Sequence, residues 1–250
     1  MGITGTDVAK EASDMVLTDD NFASIVAAVE EGRGVYENIR KFVRYLLSTN
    51  SGEVLVLFIA STLFLPLPLL PLQLLWINLI TDGFPALALG VEPKELGLMD
   101  RKPRDPKAGI LAAGMGFHIA WVGALGLYVW ALPPRLAADE ARTLVFYTVA
   151  MFQVFHVLAI RVSRESVFTA GFFRNPYLIG AVLLTVALQL AVVYIPALQV
   201  PFRTQPLPWN ELLVATLVAS SVFFAVELEK WVRRRRERRL NVAAPPSPTR

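Results

Sequence analysis

Two carboxylates stand inside stretches that are otherwise apolar enough to cross a bilayer. They are Glu53, within Leu46-Leu-Ser-Thr-Asn-Ser-Gly-Glu-Val-Leu-Val-Leu-Phe-Ile59, and Asp82, within Leu72-Gln-Leu-Leu-Trp-Ile-Asn-Leu-Ile-Thr-Asp-Gly-Phe-Pro85. A charge at mid-membrane costs about 2.5–3.5 kcal/mol on insertion scales, so such a group needs a compensating partner or a task. Asn50 precedes Glu53 by three positions, and Asn78, Thr81 and Asp82 follow one another at helical spacing, so each set shares a helix face. Amide, hydroxyl and carboxylate oxygens are the ligands of hard cations such as calcium or magnesium. The chain has no cysteine, and its two histidines stand apart in sequence, which argues against a soft transition-metal site. Gly83 and Pro85 predict a break just after Asp82, because glycine unwinds cheaply and proline removes a helix donor. A broken span frees carbonyls that can also face an ion. The chemistry implied is the clasping of a hard cation at membrane depth, with Glu53 exchanging a proton for the ion.

Polar residues in spans also hold helices together, at about 0.6–2 kcal/mol each. That reading serves for Asn50, Asn78 or Thr81 taken singly. It does not serve for Glu53 and Asp82 together, since a bundle gains little from burying two acids that have no basic span partner. Gln153 and His156, three apart in a later apolar stretch, add a weaker candidate ligand in Gln153; His156 reads as packing and Gln189 as structural.

The elements that must position these residues follow from hydropathy. Of 250 residues 54% are hydrophobic and only 18% charged, outside the range of ordinary soluble domains. The apolar residues fall in blocks of the length one crossing requires, about 20 residues. Six spans are expected, at about 45–65, 71–91, 110–132, 143–162, 177–196 and 211–231. The fold class is an all-α polytopic membrane protein, a six-helix transmembrane bundle with a short cytoplasmic N-terminal stub. Basic residues gather in alternate connections: Lys94, Arg101, Lys102, Arg104 and Lys107; then Arg161, Arg164 and Arg174; then Arg233-Arg-Arg-Arg-Glu-Arg-Arg239. That pattern puts both termini in the cytoplasm of an integral cell-membrane protein. The arginine block reads as a membrane-flanking stop, not as a nucleic-acid patch, because no recognition fold accompanies it. Residues 1–20 read as the end of a soluble domain, with a short strand at 14–18 and Asp19 or Asp20 capping a helix from about residue 21. Residues 21–44 read as an amphipathic stalk, 45–232 as the membrane domain, and 233–250 as a basic, disordered tail.

These residues resemble a known family. Asn50-Ser-Gly-Glu53 resembles the Asn-x-Gly-Glu of the fifth membrane helix in P-type calcium pumps of the sarco/endoplasmic-reticulum kind and their bacterial relatives. Leu75-Trp-Ile-Asn-Leu-Ile-Thr-Asp-Gly-Phe-Pro85 is similar to their sixth helix, and Leu98-Met-Asp-Arg-Lys-Pro-Arg104 to the cytoplasmic loop after it. Residues 2–31 resemble the end of the phosphorylation domain and the stalk. The likeness runs over residues 1–232 and is sharpest at 2–107. It implies ATP-driven cation transport through a phospho-aspartate, with Asn50, Glu53, Asn78, Thr81 and Asp82 at ligand positions. Gln153 stands where the reticulum-type pumps carry a glutamate in helix eight, which weakens a two-ion reading. Glu53 departs from the plasma-membrane calcium pumps, which lack that acid.

The Asp-Lys-Thr-Gly and Gly-Asp-Gly-x-Asn-Asp motifs of the family are not in the sequence, nor is any Gly-x-x-x-x-Gly-Lys-Ser/Thr or Gly-x-Gly-x-x-Gly nucleotide loop. The expectation is a cation-binding transmembrane half of a calcium-type pump, with no ATPase activity of its own. It is expected to carry Ca2+ in preference to Mn2+ or Mg2+, and to meet ATP and Mg2+ only through domains elsewhere. Its partners would be the bilayer and an N-terminal half, whether the chain is a truncated product, a split-gene subunit or a mis-called start. The rival readings are a non-catalytic assembly or regulatory subunit derived from a pump, and a passive or secondary cation transporter.

Overall fold

The structure is a computed structural model that describes residues 1–64, 66–95, 97–101, 103, 115–131, 138–163, 165–171 and 173–243. Among these every regular element is helical: α1 (Asp7–Glu11), α2 (Ala23–Thr62), α3 (Pro71–Trp76), a π turn (Ile77–Thr81), α4 (Gly83–Gly90), α5 (Met115–Ala131), α6 (Ala138–Ile160), α7 (Val167–Ala170), α8 (Pro176–Tyr194), α9 (Pro196–Phe202) and α10 (Trp209–Ala243). Among the described residues five stretches are long and apolar enough to cross a membrane: α2, the α3–π–α4 run, α6, α8 and α10. The span expected at 110–132 coincides with the 17-residue α5; its first residues lie outside the described part.

The segment expected as a strand at 14–18 is irregular, tied by the Gly2 N–H donating to the Leu17 carbonyl at 2.7 Å. Neither Asp19 nor Asp20 caps α2. Asp20, at φ 49°, turns back to accept from the backbone N–H groups of Ile3 and Thr4 and from the Thr4 hydroxyl. The Thr4 hydroxyl bond, helped by those N–H groups, holds its carboxyl at about 2. Asp19 instead accepts from Ser24 Oγ and the Asn21 N–H, and Asn21 Oδ1 takes the Ala23 N–H.

α2 is one continuous helix of 40 residues that runs unbroken through Gly32 and Gly34. Gly34 has a packing reason: a Cβ there would lie 3.1 Å from Lys94 Cγ, so the lysine stem crosses the helix where no side chain intervenes. Pro71 opens α3, and Gln73 Oε1 takes the Leu70 N–H at 3.0 Å while Gln73 Nε2 donates to the Phe202 carbonyl. α8 starts at Asn175, whose side chain accepts the Leu178 N–H, with Pro176 at the first helical position. α10 carries the arginine run as helix to Ala243, where the sequence predicted disorder from 233; consecutive arginines have good helix propensity, and the helix is already nucleated by the apolar span before it.

α6 is the hub: nearly all of its apolar stretch is buried, against about a third of those of α2, α8 and α10. Its residues Tyr147, Ala150, Met151, Val154 and Val157 join Leu178 and Val182 of α8 and Ala215, Ala219 and Val222 of α10 in one core. α2 packs on α5 where Gly52 and Gly123 face each other, an ideal Cβ on Gly123 lying 3.5 Å from the Gly52 nitrogen. Connections at the arginine-rich end are locked by buried ion pairs. Glu95 accepts from Lys41 at 2.9 Å, Arg101 at 2.7 Å and the Ser163 N–H at 2.8 Å. Burial would raise its carboxyl, but Lys41, the Ser163 N–H and Arg101 outweigh that and hold it at about 2. Beside it Glu92 takes Arg161 at 3.2 Å and Asn175 Nδ2 at 2.5 Å.

Candidate functional site

The bundle brings α2, the π turn and α6 together so that every sequence-predicted ligand lies in one polar cluster. Glu53 is 6% exposed and Asp82 fully buried, so neither faces lipid. Glu53 Oε1 accepts from Gln153 Nε2 at 2.7 Å, and Oε2 from Asn78 Nδ2 at 3.0 Å. Thr81 Oγ1 donates to Gln153 Oε1 at 2.6 Å. Gln153 therefore bridges the acid of α2 to the hydroxyl beside Asp82. Asp82 Oδ2 accepts from Thr49 Oγ1 at 3.1 Å and, at 3.4 Å, from Asn50 Nδ2. Asp82 Oδ1 is buried and has no hydrogen-bond partner among the described residues. All partners of both acids are neutral.

The expected break after Asp82 takes another form. The helix does not unwind; it widens into the π turn, closed by the Asp82 N–H donating to the Ile77 carbonyl at 2.9 Å. Pro85 has no N–H to give to the Thr81 carbonyl four positions back. Tyr45 OH supplies the missing donor at 3.1 Å. The proline thus frees a carbonyl, as the sequence implied, but a phenol from α2 takes it up. The carbonyls of Leu46 and Leu74 are likewise engaged, by Asn50 Nδ2 at 2.7 Å and Asn78 Nδ2 at 3.0 Å.

A cavity of about 20 Å³ adjoins Glu53, lined by Ser48, Thr49, Gly52, Val122, Phe152 and Gln153 among others. That is room for roughly one water-sized guest. Rotating the amides of Asn78 and Gln153 would replace the N–H groups facing Glu53 by carbonyl oxygens, turning hydrogen-bond donors into ion ligands.

Sequence reasoning missed Tyr45 and Thr49. Both lie on the face of α2 that carries Glu53, at four-residue steps, and that spacing was the available signal. It also separated the two histidines. His118 Nε2 lies 3.3 Å from His156 Nε2, and His118 Nδ1 lies 2.6 Å from Glu229 Oε2. His156 therefore packs away from the acids, with its ring 5.7 Å from that of Tyr45. Gln189 accepts from Trp76 Nε1 at 3.0 Å, a contact between α3 and α8.

Two acids buried in a polar cluster between helices long and apolar enough to cross a bilayer mark an integral membrane protein. Residues 66–232 match the family described as cation transporting ATPase, C-terminus, and the chain belongs to that family. It is 48% identical over 233 residues to a calcium-transporting ATPase of Bacillus subtilis, covering 89% of this chain and 26% of that protein. It is 39% identical to calcium-transporting ATPase 1 of Yarrowia lipolytica, over 92% of this chain and 26% of the relative. It is 40% identical to calcium-transporting ATPase type 2C member 2 of Rattus norvegicus, over 92% of this chain and 25% of the relative. The chain spans about a quarter of the length of these relatives.

Proposed function

We propose that this chain is the cation-binding transmembrane half of a calcium-type P-type ATPase, with Asn50, Glu53, Asn78, Thr81, Asp82 and, more weakly, Gln153 as ligands of the transported ion. The observation that carries this reading is the buried Asp82 Oδ1, which has no donor within hydrogen-bonding geometry among the described residues and is held within a cluster whose other members are all oxygen-bearing and uncharged apart from Glu53. Water or protein N–H groups satisfy an ordinary buried carboxylate. An oxygen left open suits an incoming cation, and hard oxygens suit Ca2+, the ion in the names of the relatives. Mn2+ and Mg2+ share this ligand chemistry; Mg2+ binds less readily because it sheds water reluctantly.

In this reading α5 is a sixth crossing, residues 1–20 belong to a cytoplasmic phosphorylation domain, the first part of α2 is the stalk, and the arginine-bearing end of α10 faces the cytoplasm with both termini. ATP hydrolysis belongs to an N-terminal half outside this chain. The stalk continuity of α2 gives a rigid lever: a shift of its N-terminal end reaches Thr49, Asn50 and Glu53 without an intervening joint.

The test is equilibrium binding of Ca2+, Mn2+ and Mg2+ to the purified chain and to its Glu53→Gln and Asp82→Asn variants. Binding of Ca2+ that falls sharply in both variants supports the reading. Binding that is absent in the parent up to about 1 mM, the weak end of biological calcium sites, or that is indifferent to both substitutions, overturns it.

A further inference from the structure

The groove between α5 and α10 at the arginine-rich end lies outside the acid cluster and has a chemistry of its own. Phe117 and Trp121 of α5 form one wall, Leu228 and Val232 of α10 the other, and Arg233 and Arg236 stand at the rim around a space of about 640 Å³. The walls are open to the surroundings, Phe117 being 71% and Leu228 59% exposed. From Ala225 to Arg236 the α10 wall runs about 16 Å, close to the roughly 15 Å depth of one leaflet's hydrocarbon.

Charge at the rim is unbalanced. Among the described residues Glu229 is the one carboxylate lining the groove, and it is already committed to His118, to Trp121 Nε1 at 3.1 Å and to Arg233 at 3.1 Å. Arg236 has no carboxylate partner among the described residues. Close by, Arg44 of α2 is only 9% exposed and makes no hydrogen bond or ion pair with a described residue, although it feels the charges of Glu229 and Arg233. Among the described residues one positive charge, that of Arg236, is therefore left over at the mouth of an apolar slot.

The geometry points to a binding site for one anionic glycerophospholipid: acyl chain against Phe117, Trp121, Leu228 and Val232, phosphodiester between Arg233 and Arg236. A free phosphate would satisfy the arginines but leave the walls bare. A zwitterionic lipid would cover the walls but bring its own cation to a rim already in excess.

The test uses the whole chain in phosphatidylcholine nanodiscs doped with phosphatidylglycerol brominated on its acyl chains. Trp121 is the reporter, its signal taken as the difference between the parent and Trp121→Phe, and native mass spectrometry counts the retained lipid independently. Brominated phosphatidylglycerol should quench Trp121 at a lower mole fraction than brominated phosphatidylcholine, with one phosphatidylglycerol retained per chain. Arg236→Gln should raise the fraction required about five-fold, the equivalent of about 1 kcal/mol. Arg235→Gln removes the same charge one residue away, but Arg235 lies over the Trp231 ring on another face, so it should change nothing. Equal quenching by the two lipids, equal loss in the Arg235 and Arg236 variants, or displacement by soluble glycerol phosphate would each overturn the proposal.

Discussion

Tyr45 and Pro85 should be energetically coupled although they lie on different helices. Tyr45→Phe removes the phenol that donates to the Thr81 carbonyl and leaves the packing of the ring unchanged. The site is fully buried, Tyr45 and Thr81 both being at 0% exposure, so water cannot replace the donor. A buried carbonyl stripped of its partner costs about 1–3 kcal/mol. Pro85→Ala restores a backbone N–H four residues after Thr81, where a regular helix would have it. In that background Tyr45→Phe should cost less, because the carbonyl regains a partner from its own helix. The cycle should therefore give a coupling of about 1 kcal/mol or more, above the roughly 0.3–0.5 kcal/mol within which independent sites add. The assay is reversible denaturation of the four proteins in mixed micelles, followed by helical circular dichroism. Additive costs would refute the claim that Tyr45 stands in for the donor that proline removes.

Other consequences follow from the same contacts. Glu95 has a folded value of about 2 against an ordinary 4.5, so its contribution is present in full above about pH 4.5 and is lost as pH falls towards 2. That contribution is about 3 kcal/mol; Glu95→Gln should lower the thermal midpoint at pH 7 and flatten the acid limb of a midpoint-versus-pH curve. Asn175→Ala removes the α8 cap and the donor to Glu92 and the Ala88 carbonyl, and should cost about 2–4 kcal/mol in the same denaturation assay. Gln153→Leu should weaken Ca2+ binding about ten-fold, the worth of about 1.4 kcal/mol, measured by calorimetry, because it removes the bridge between Glu53 and Thr81.

The long apolar blocks made the membrane helices readable, and the acids within them were readable because a charge at that depth is anomalous. Spacing put Asn50, Asn78 and Thr81 on the helix faces of the two acids, and the structure finds them in the same polar cluster. What stayed hidden depended on contacts between helices. The phenol that answers Pro85 comes from a residue 36 positions from Thr81 in sequence, and no local pattern joins them. His118 and His156 are 38 residues apart and meet only because α5 and α6 pack together. Nothing in the sequence around Glu92 and Glu95 signals burial; it arises from Lys41, Arg161 and Asn175, which arrive from three other parts of the chain. The strand expected at 14–18 failed because a β-prone run without a partner strand has no ladder to join. The π turn was not foreseen because glycine and proline signal a departure from α-helix but not its kind.

Crystals of the chain grown with Ca2+, imaged by anomalous diffraction, test the central claim most directly. The account predicts an ion within about 2.3–2.6 Å of carboxylate oxygens from both Glu53 and Asp82, with the Asn78 and Gln153 amides turned to present their oxygens. An ion held elsewhere, or both acids still bonded to amide N–H groups at saturating Ca2+, would contradict it.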